Sequence, residues 1–178
     1  VIPILVALAW ADPRPGRVGV GILLMGIGEA IRLWGAAHLG ATARSSTPRA
    51  GKLVTTGPYA RTRHPLYWGN LCLTLGFVTA SGAFWPVFPA LAAIGFVFLY
   101  ARHARAEERI LAAAFPEAHA AWQRVVPGVR WRLRPARVAP QGETGAPSWG
   151  RALRVEAGSL HAEFWLLVAL RLRAGWGA

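Results

Sequence analysis

HPLYWGNLCLTLGFVTASGAFWPVFPALAAIGFVFLYA, residues 64 to 101, carries no Asp, Glu, Lys or Arg. One membrane span takes ~20 residues, so this run of 38 fits two spans and a tight turn. TASGAFWP (79–86) supplies the turn, because Gly82 and Pro86 interrupt the apolar pattern there. The product is a helical hairpin with spans near 66–81 and 84–101. Its two ends, Arg63–His64 and Arg102–His103, are expected on one side of the bilayer and close together.

Upstream, VGVGILLMGIGEAIRLWGAAHLG (18–40) is another span-length apolar segment, interrupted by Glu29 and Arg32. These two stand three residues apart, share a helix face and can pair. Ionisable groups inside a span are costly and face a bundle interior or a site; a structural ion pair and a functional role stand level here. VIPILVALAW (1–10) is about half a span, so upstream residues or an alternative start codon are expected. It lacks the basic flank and cleavage site of a signal peptide.

Charge sets the orientation. Arg44, Arg49, Lys52, Arg61 and Arg63 load residues 41–65, and arginines recur through 102–137, whereas the hairpin tip has none. Under the positive-inside rule the basic loops face the cytoplasm. Arg14 and Arg17 of ADPRPGR (11–17) fall on the other side and run against that assignment.

Beyond the hairpin, ARAEERILAAAFPEAHAAWQRVV (104–126) reads as an amphipathic cytosolic helix or a broken pair. Ile110, Leu111, Ala114, Phe115 and Ala118 keep the three-and-four spacing, and Pro116 starts or kinks the second part. VPGVRWRLRP (126–135) closes the compact region, which gives a domain over 1–138. APQGETGAPSWG (139–150) is a linker by composition. Residues 151–178 hold an uninterrupted apolar core of only seven (164–170) between arginines, which suits an interfacial helix more easily than a span. No strand pattern or internal repeat stands out. The fold class is all-α: an integral-membrane helical bundle with a transmembrane hairpin and cytosolic cofactor-binding loops.

The totals agree. The chain of 178 residues is one domain's worth, 54% hydrophobic, with a net charge of +12 in which Lys52 is the only lysine. Such basicity could suggest nucleic acid. Yet the arginines flank apolar runs, which suits a membrane surface, and no nucleic-acid partner is expected. The single cysteine, Cys72, excludes an intrachain disulfide and a cysteine-built metal site.

The chemistry concentrates at the mouth of the hairpin. In GPYARTRHPLYWG (57–69), Gly57 and Pro58 form a turn, while Pro65 makes His64 extended and permits a helix to start after it. That aims Tyr59, Arg63, His64 and Tyr67 at the membrane-proximal mouth, where the other end of the hairpin delivers Glu107 and Glu108. Carboxylates, guanidinium, imidazole and phenols together can hold a zwitterionic ligand. Singly, each has an ordinary reading: arginine anchors, belt tyrosines, and glutamates serving a helix dipole.

Taken together, GKLVTTGPYARTRHPLYWG (51–69) and, some forty residues later, EERILAAAFPEAHAAW (107–122) resemble the isoprenylcysteine carboxyl methyltransferases and their phospholipid N-methyltransferase relatives. The shared pattern is LVTxGPYxxxRHPxYxG followed by EExxLxxxF. IRLWGAAHLG (31–40) also looks like the segment that precedes that family's cofactor loop, so the resemblance covers roughly residues 20 to 135. It implies an all-helical membrane fold that binds S-adenosylmethionine at the cytosolic face without a Rossmann sheet. The absence of a strand followed by GxGxxG agrees with that.

Carried over by motif, the resemblance implies that Leu53, Val54 and Tyr59 border the cofactor. His64 and Tyr67 contact it, with Arg63 beside them. Glu107 and Glu108 match the paired acids, Glu107 being the direct ligand and Arg63 and Glu108 taking catalytic parts. Lys52 stands at a cofactor-side position where the family often has His. His103 falls at the position of a substrate-carboxylate arginine, with Arg102 adjacent, and both are expected on the substrate side.

The expected activity is methyl transfer to a lipophilic substrate in a bacterial inner membrane, with the cofactor site facing the cytoplasm. The acceptor is an isoprenylcysteine-like or other lipophilic acid, or else a phospholipid amine. A carboxylate nucleophile is already anionic, whereas an ammonium headgroup must first lose a proton to a base. The rival from another class is a non-enzymatic membrane protein that handles heme or a small molecule. His38, His64, His103, His119 and His161 lack a recognisable metal-ligand spacing, and no metal site is expected.

Overall fold

Six helices carry the architecture of the computed structural model, which describes residues 2–39, 53–138 and 146–175. They are α1 (Ile2–Ala9), α2 (Pro15–Leu39), α3 (Pro65–Ser81), α4 (Val87–Ala114), α5 (Pro116–Val125) and α6 (Trp149–Gly175). A short 3-10 turn, Gly57–Ala60, precedes α3. The fold is all-α, and the described residues form no sheet. Lys52 and residues 139–145 of the expected linker lie outside the described residues.

Local sequence explains most of the boundaries. Proline occupies the first position of α2, α3 and α5, where its missing N–H is not needed and its fixed φ suits a helix start. No proline or glycine stands between Val97 and Ala114. The second hairpin helix therefore runs on past residue 101, and the segment bearing Glu107 and Glu108 belongs to α4. Phe115 and Pro116 make the break, leaving α5 as a separate helix.

The chain divides into two compact units. The first combines α1, α2 to Ala30, α3 from Gly69, α4 to Phe98 and α6 from Ala157. Its core is Ala7, Met25, Phe77, Val78, Ala80 and Leu170. Helices α2 and α3 approach so closely that a Cβ at Gly21 would meet the Gly76 carbonyl at 2.5 Å, and one at Gly28 the Gly69 carbonyl at 2.7 Å. Small residues allowing backbones to meet are how helices pack where no hydrophobic force drives them together.

The outside of this unit is apolar. Leu91, Ile94, Val97 and Phe98 of α4 are exposed, and α4 has no buried residue. Leu23, Phe164 and Trp165 are likewise exposed. Helices α2 and α4 are each long and apolar enough to cross a membrane, and in lipid an apolar exterior carries no penalty. The 11–17 loop is stitched to the hairpin turn in the same unit. The Asp12 backbone N–H donates to the Ser81 carbonyl at 2.8 Å, and the Asp12 carboxylate accepts from Arg17 at 2.8 Å and Arg14 at 3.2 Å.

The second unit comprises Ile31–Trp68 and Leu99–Glu156. Leu53, Val54, Tyr59, Trp122 and Val126 form its core, with Leu111, Phe115 and Ala118 against them. Arg32 forms an ion pair with Glu156 of α6, 124 residues away. Beside it Ala36, Ala37 and Ala152 seat α6 on α2, and the Ser148 N–H donates to the Ala37 carbonyl at 3.0 Å.

Candidate active site

The site is built in the second unit, where the turn before α3 meets the polar end of α4. Gly57 has φ +60, a conformation L side chains rarely adopt, and a Cβ there would run into the His38 imidazole. His38 is held in turn by the Trp34 carbonyl at 3.0 Å. Gly57 thus lets the chain turn under α2, and Pro58 and Tyr59 follow into the core. The Trp122 indole N–H donates to the Tyr59 carbonyl at 3.0 Å and fixes the turn from the α5 side.

Glu107 and Glu108 point into this turn from α4. The Arg63 Nε donates to Glu108 Oε1 at 2.8 Å, and the same oxygen lies 2.9 Å from His64 Nε2. Gln123 donates to the other Glu108 oxygen at 3.4 Å. Tyr67 Oη donates to Glu107 Oε2 at 2.9 Å, and His64 Nδ1 lies 3.6 Å from that oxygen. His64 therefore stands between the two acids, its ring stacked on Tyr67 at 5.2 Å with an interplanar angle of 7°.

The acids differ in what remains for a ligand. Both Glu108 oxygens are engaged, and Arg63 also donates to the Val126 carbonyl at 2.9 Å while its backbone N–H donates to the Pro127 carbonyl at 3.0 Å. Arg63 and Glu108, expected to take catalytic parts, are bonded to each other, Glu108 also to His64 and Gln123 and Arg63 also to backbone carbonyls. Glu107 keeps Oε1 without a hydrogen bond among the described residues, and its side chain is 40% exposed.

The two carboxyls lie beyond the apolar run of α4 that closes at Ala101. Partial burial would raise them, but the His64 and Tyr67 contacts hold Glu107 below the usual carboxylate range. His64 and Arg63 do the same for Glu108 against the same opposing burial. Burial pushes the Tyr59 phenol well up, helped by the nearby Glu107 charge, so Tyr59 stays a neutral donor.

Leu53, Val54 and Tyr59 are buried in the packed core of the unit. Their side chains line no open surface. Tyr59 Oη is buried without a hydrogen-bond partner among the described residues, as is Thr55 Oγ1. Buried hydroxyls lacking a partner are costly and suit a polar ligand. On the α4 side, Tyr67 packs edge-on against Tyr100 at 4.6 Å, and Tyr100 lies 6.1 Å from His103. Tyr100, His103 and Glu107 follow the i, i+3, i+7 spacing of one helix face. Arg102 projects about 100° away from His103 and is exposed. The structure thus brings His103, not Arg102, onto the helix face of Tyr100 and Glu107.

Sequence reading missed Gln123 and gave His119 no part in the site. His119 is buried with Nε2 unpartnered. Burial pushes its imidazole below the usual value, the Glu108 charge opposes this, and Arg63 adds to it. The signal was available in α5, where His119, Trp122 and Gln123 are spaced three and four apart. Among the described residues no three of His, Cys, Asp or Glu stand together as a metal site.

Residues 17–118, more than half of the chain, match the family model of the phospholipid methyltransferases. The chain belongs to the phospholipid methyltransferase family. The stretch that carries this membership encloses the elbow at 57–69 and both acids. Two curated relatives are similar to it. One is the cobalt-zinc-cadmium resistance protein CzcN of Cupriavidus metallidurans, 38% identical over 113 residues, covering 61% of this chain and 45% of the relative. The other is the nickel-cobalt-cadmium resistance protein NccN of Alcaligenes xylosoxydans xylosoxydans, 37% identical over 100 residues, covering 55% and 42%. The chain spans less than half the length of these relatives. No solved structure matches it.

Proposed function

We propose that this phospholipid methyltransferase family member transfers a methyl group from S-adenosylmethionine to a lipophilic substrate, at the cytoplasmic face of a bacterial inner membrane. The observation that carries the reading is the asymmetry of the paired acids. Glu108 locks Arg63 and His64 in place, and Glu107 offers a free, oriented carboxylate oxygen beside the aromatic rings.

The residues fit such a donor. Glu107 suits its ammonium or ribose hydroxyls, the unpartnered Tyr59 and Thr55 hydroxyls suit its polar atoms, and the faces of Tyr67 and Tyr100 suit a cationic sulfonium. The cofactor supplies an electrophilic methyl. The protein's part is to align the acceptor, hold it in line and keep water out. Arg63 and Glu108 act here as positioning residues, because both Glu108 oxygens are engaged and Arg63 is tied to Glu108 and to the Val126 and Gln123 carbonyls. His103, with Nδ1 held by the Leu99 carbonyl at 2.8 Å, leaves Nε2 to orient an acceptor.

A lipophilic carboxylic acid is the leading acceptor, since an anionic oxygen needs no base. The family's description favours a second acceptor, the amine headgroup of a phospholipid, for which a base must take a proton. The metal-resistance names of the two relatives assign no residue of this chain. Mass spectrometry of lipid extracts incubated with the protein and a labelled methyl donor decides the acceptor. Label in an ester supports the first, label in a headgroup amine the second, and no labelled lipid contradicts the enzyme reading.

A further inference from the structure

We infer that the extended segment 127–138 is a docking strap for the phosphate-bearing headgroups of an anionic bilayer, independent of methyl transfer. The segment follows α5 without helix or strand, and its inner edge is sewn to the elbow. The Arg132 N–H donates to the Arg61 carbonyl at 3.0 Å, and the Ala136 N–H to the Ala60 carbonyl at 2.8 Å. Thr62 Oγ1 donates to the Gly128 carbonyl at 3.0 Å, and the Trp68 indole to the Val129 carbonyl at 2.7 Å. Arg61 donates to the Leu133 carbonyl as well. The backbone is satisfied inward, and the ring of Trp131 lies 6.3 Å from Trp34.

What the strap turns outward is unlike a soluble loop. Leu133 is 90% exposed and Val129 74% exposed, interleaved with Arg130, Arg134 and Arg137, all exposed. None of these three arginines forms an ion pair or hydrogen bond among the described residues. From Arg124 to Val138 the sequence holds five arginines and no acid. Burying Leu133 alone calls for an apolar surface, and the arginines call for anions beside it. A headgroup layer provides both at one depth, letting arginines reach phosphate while apolar tips sink toward the acyl chains.

The strap is also tied to the start of an apolar run. Trp68, which holds Val129, is in the first turn of α3, where the apolar run begins. Tryptophan and arginine concentrate at that boundary of a membrane protein. A nucleic acid would satisfy the arginines but leave Val129 and Leu133 in water.

The test uses the full chain in lipid nanodiscs, with Cys72→Ser and Leu133→Cys carrying an environment-sensitive fluorophore, and Val129→Cys as a second labelling site. In discs containing phosphatidylglycerol, emission should shift to the blue, and quenching by headgroup-region spin-labelled lipid should be several-fold stronger than in phosphatidylcholine discs. High salt should reverse the difference, and the triple variant Arg130→Gln, Arg134→Gln, Arg137→Gln should abolish it while circular dichroism stays unchanged. Equal emission and quenching at both labels in the two compositions overturns the proposal. So does a response to single-stranded RNA in phosphatidylcholine discs without one to phosphatidylglycerol.

Discussion

Tyr67 Oη and Glu107 Oε2 meet at 2.9 Å across forty residues of chain. This bond joins the first turn of α3 to the polar end of α4 and aims the one carboxylate of the site that keeps a free oxygen. A charge-assisted bond of this kind is worth roughly 1.5–3 kcal/mol, so its loss is measurable. Tyr67→Phe should weaken S-adenosylmethionine binding about tenfold with helix content unchanged. Unaltered affinity would mean that Glu107 is aimed by something else.

Arg63 is a strut in this account. It reaches Glu108, the Val126 carbonyl and the Gln123 carbonyl from one planar group. Lysine keeps the charge but cannot fork. Arg63→Lys should therefore lower thermal stability in detergent by about 2 kcal/mol, and raise KM for the methyl donor more than it lowers kcat. A variant with full stability and a loss confined to kcat would make Arg63 a catalytic residue.

The pH dependence should show His119. Its folded value lies below the ordinary 6.5 because burial disfavours the cation, so the unfolded chain binds the proton more readily. Its contribution to stability is present above 6.5 and is lost as pH falls from there through the folded value. Thermal midpoints should drop across that window in the native chain, and His119→Gln should flatten the drop. An identical pH profile in the variant would place the titrating group elsewhere.

Gly57 tests the turn. Gly57→Ala sets a Cβ at positive φ against the His38 ring, a strain of at least about 1 kcal/mol from the backbone alone. Adding His38→Ala should restore only part of the stability, because the steric conflict goes and the backbone conflict stays. Full restoration would show that the φ value carries no cost.

The hairpin and its polar mouth were legible because charge-free length and proline position are local signals. Pro116 likewise marked the break between α4 and α5. The straight continuation of α4 was harder to see: hydropathy changes at Arg102, but backbone propensity does not, and the helix follows the latter. The Arg32–Glu156 pair was invisible because its partners stand 124 residues apart in the sequence and meet only where α6 packs on α2. His38 beneath Gly57 had no signal beyond the glycine itself. The difference in roles between Glu107 and Glu108 rests on which side-chain atoms are already engaged, and adjacent identical residues cannot show that in sequence.

Calorimetric titration of S-adenosylmethionine, and of its demethylated product, into the detergent-solubilised chain and its Glu107→Gln variant is the most direct test. The account predicts saturable binding by the native chain, with affinity lowered at least about tenfold in the variant and helix content preserved. No binding by the native chain, or equal binding by both, would contradict the placement of the cofactor at the Glu107 carboxylate.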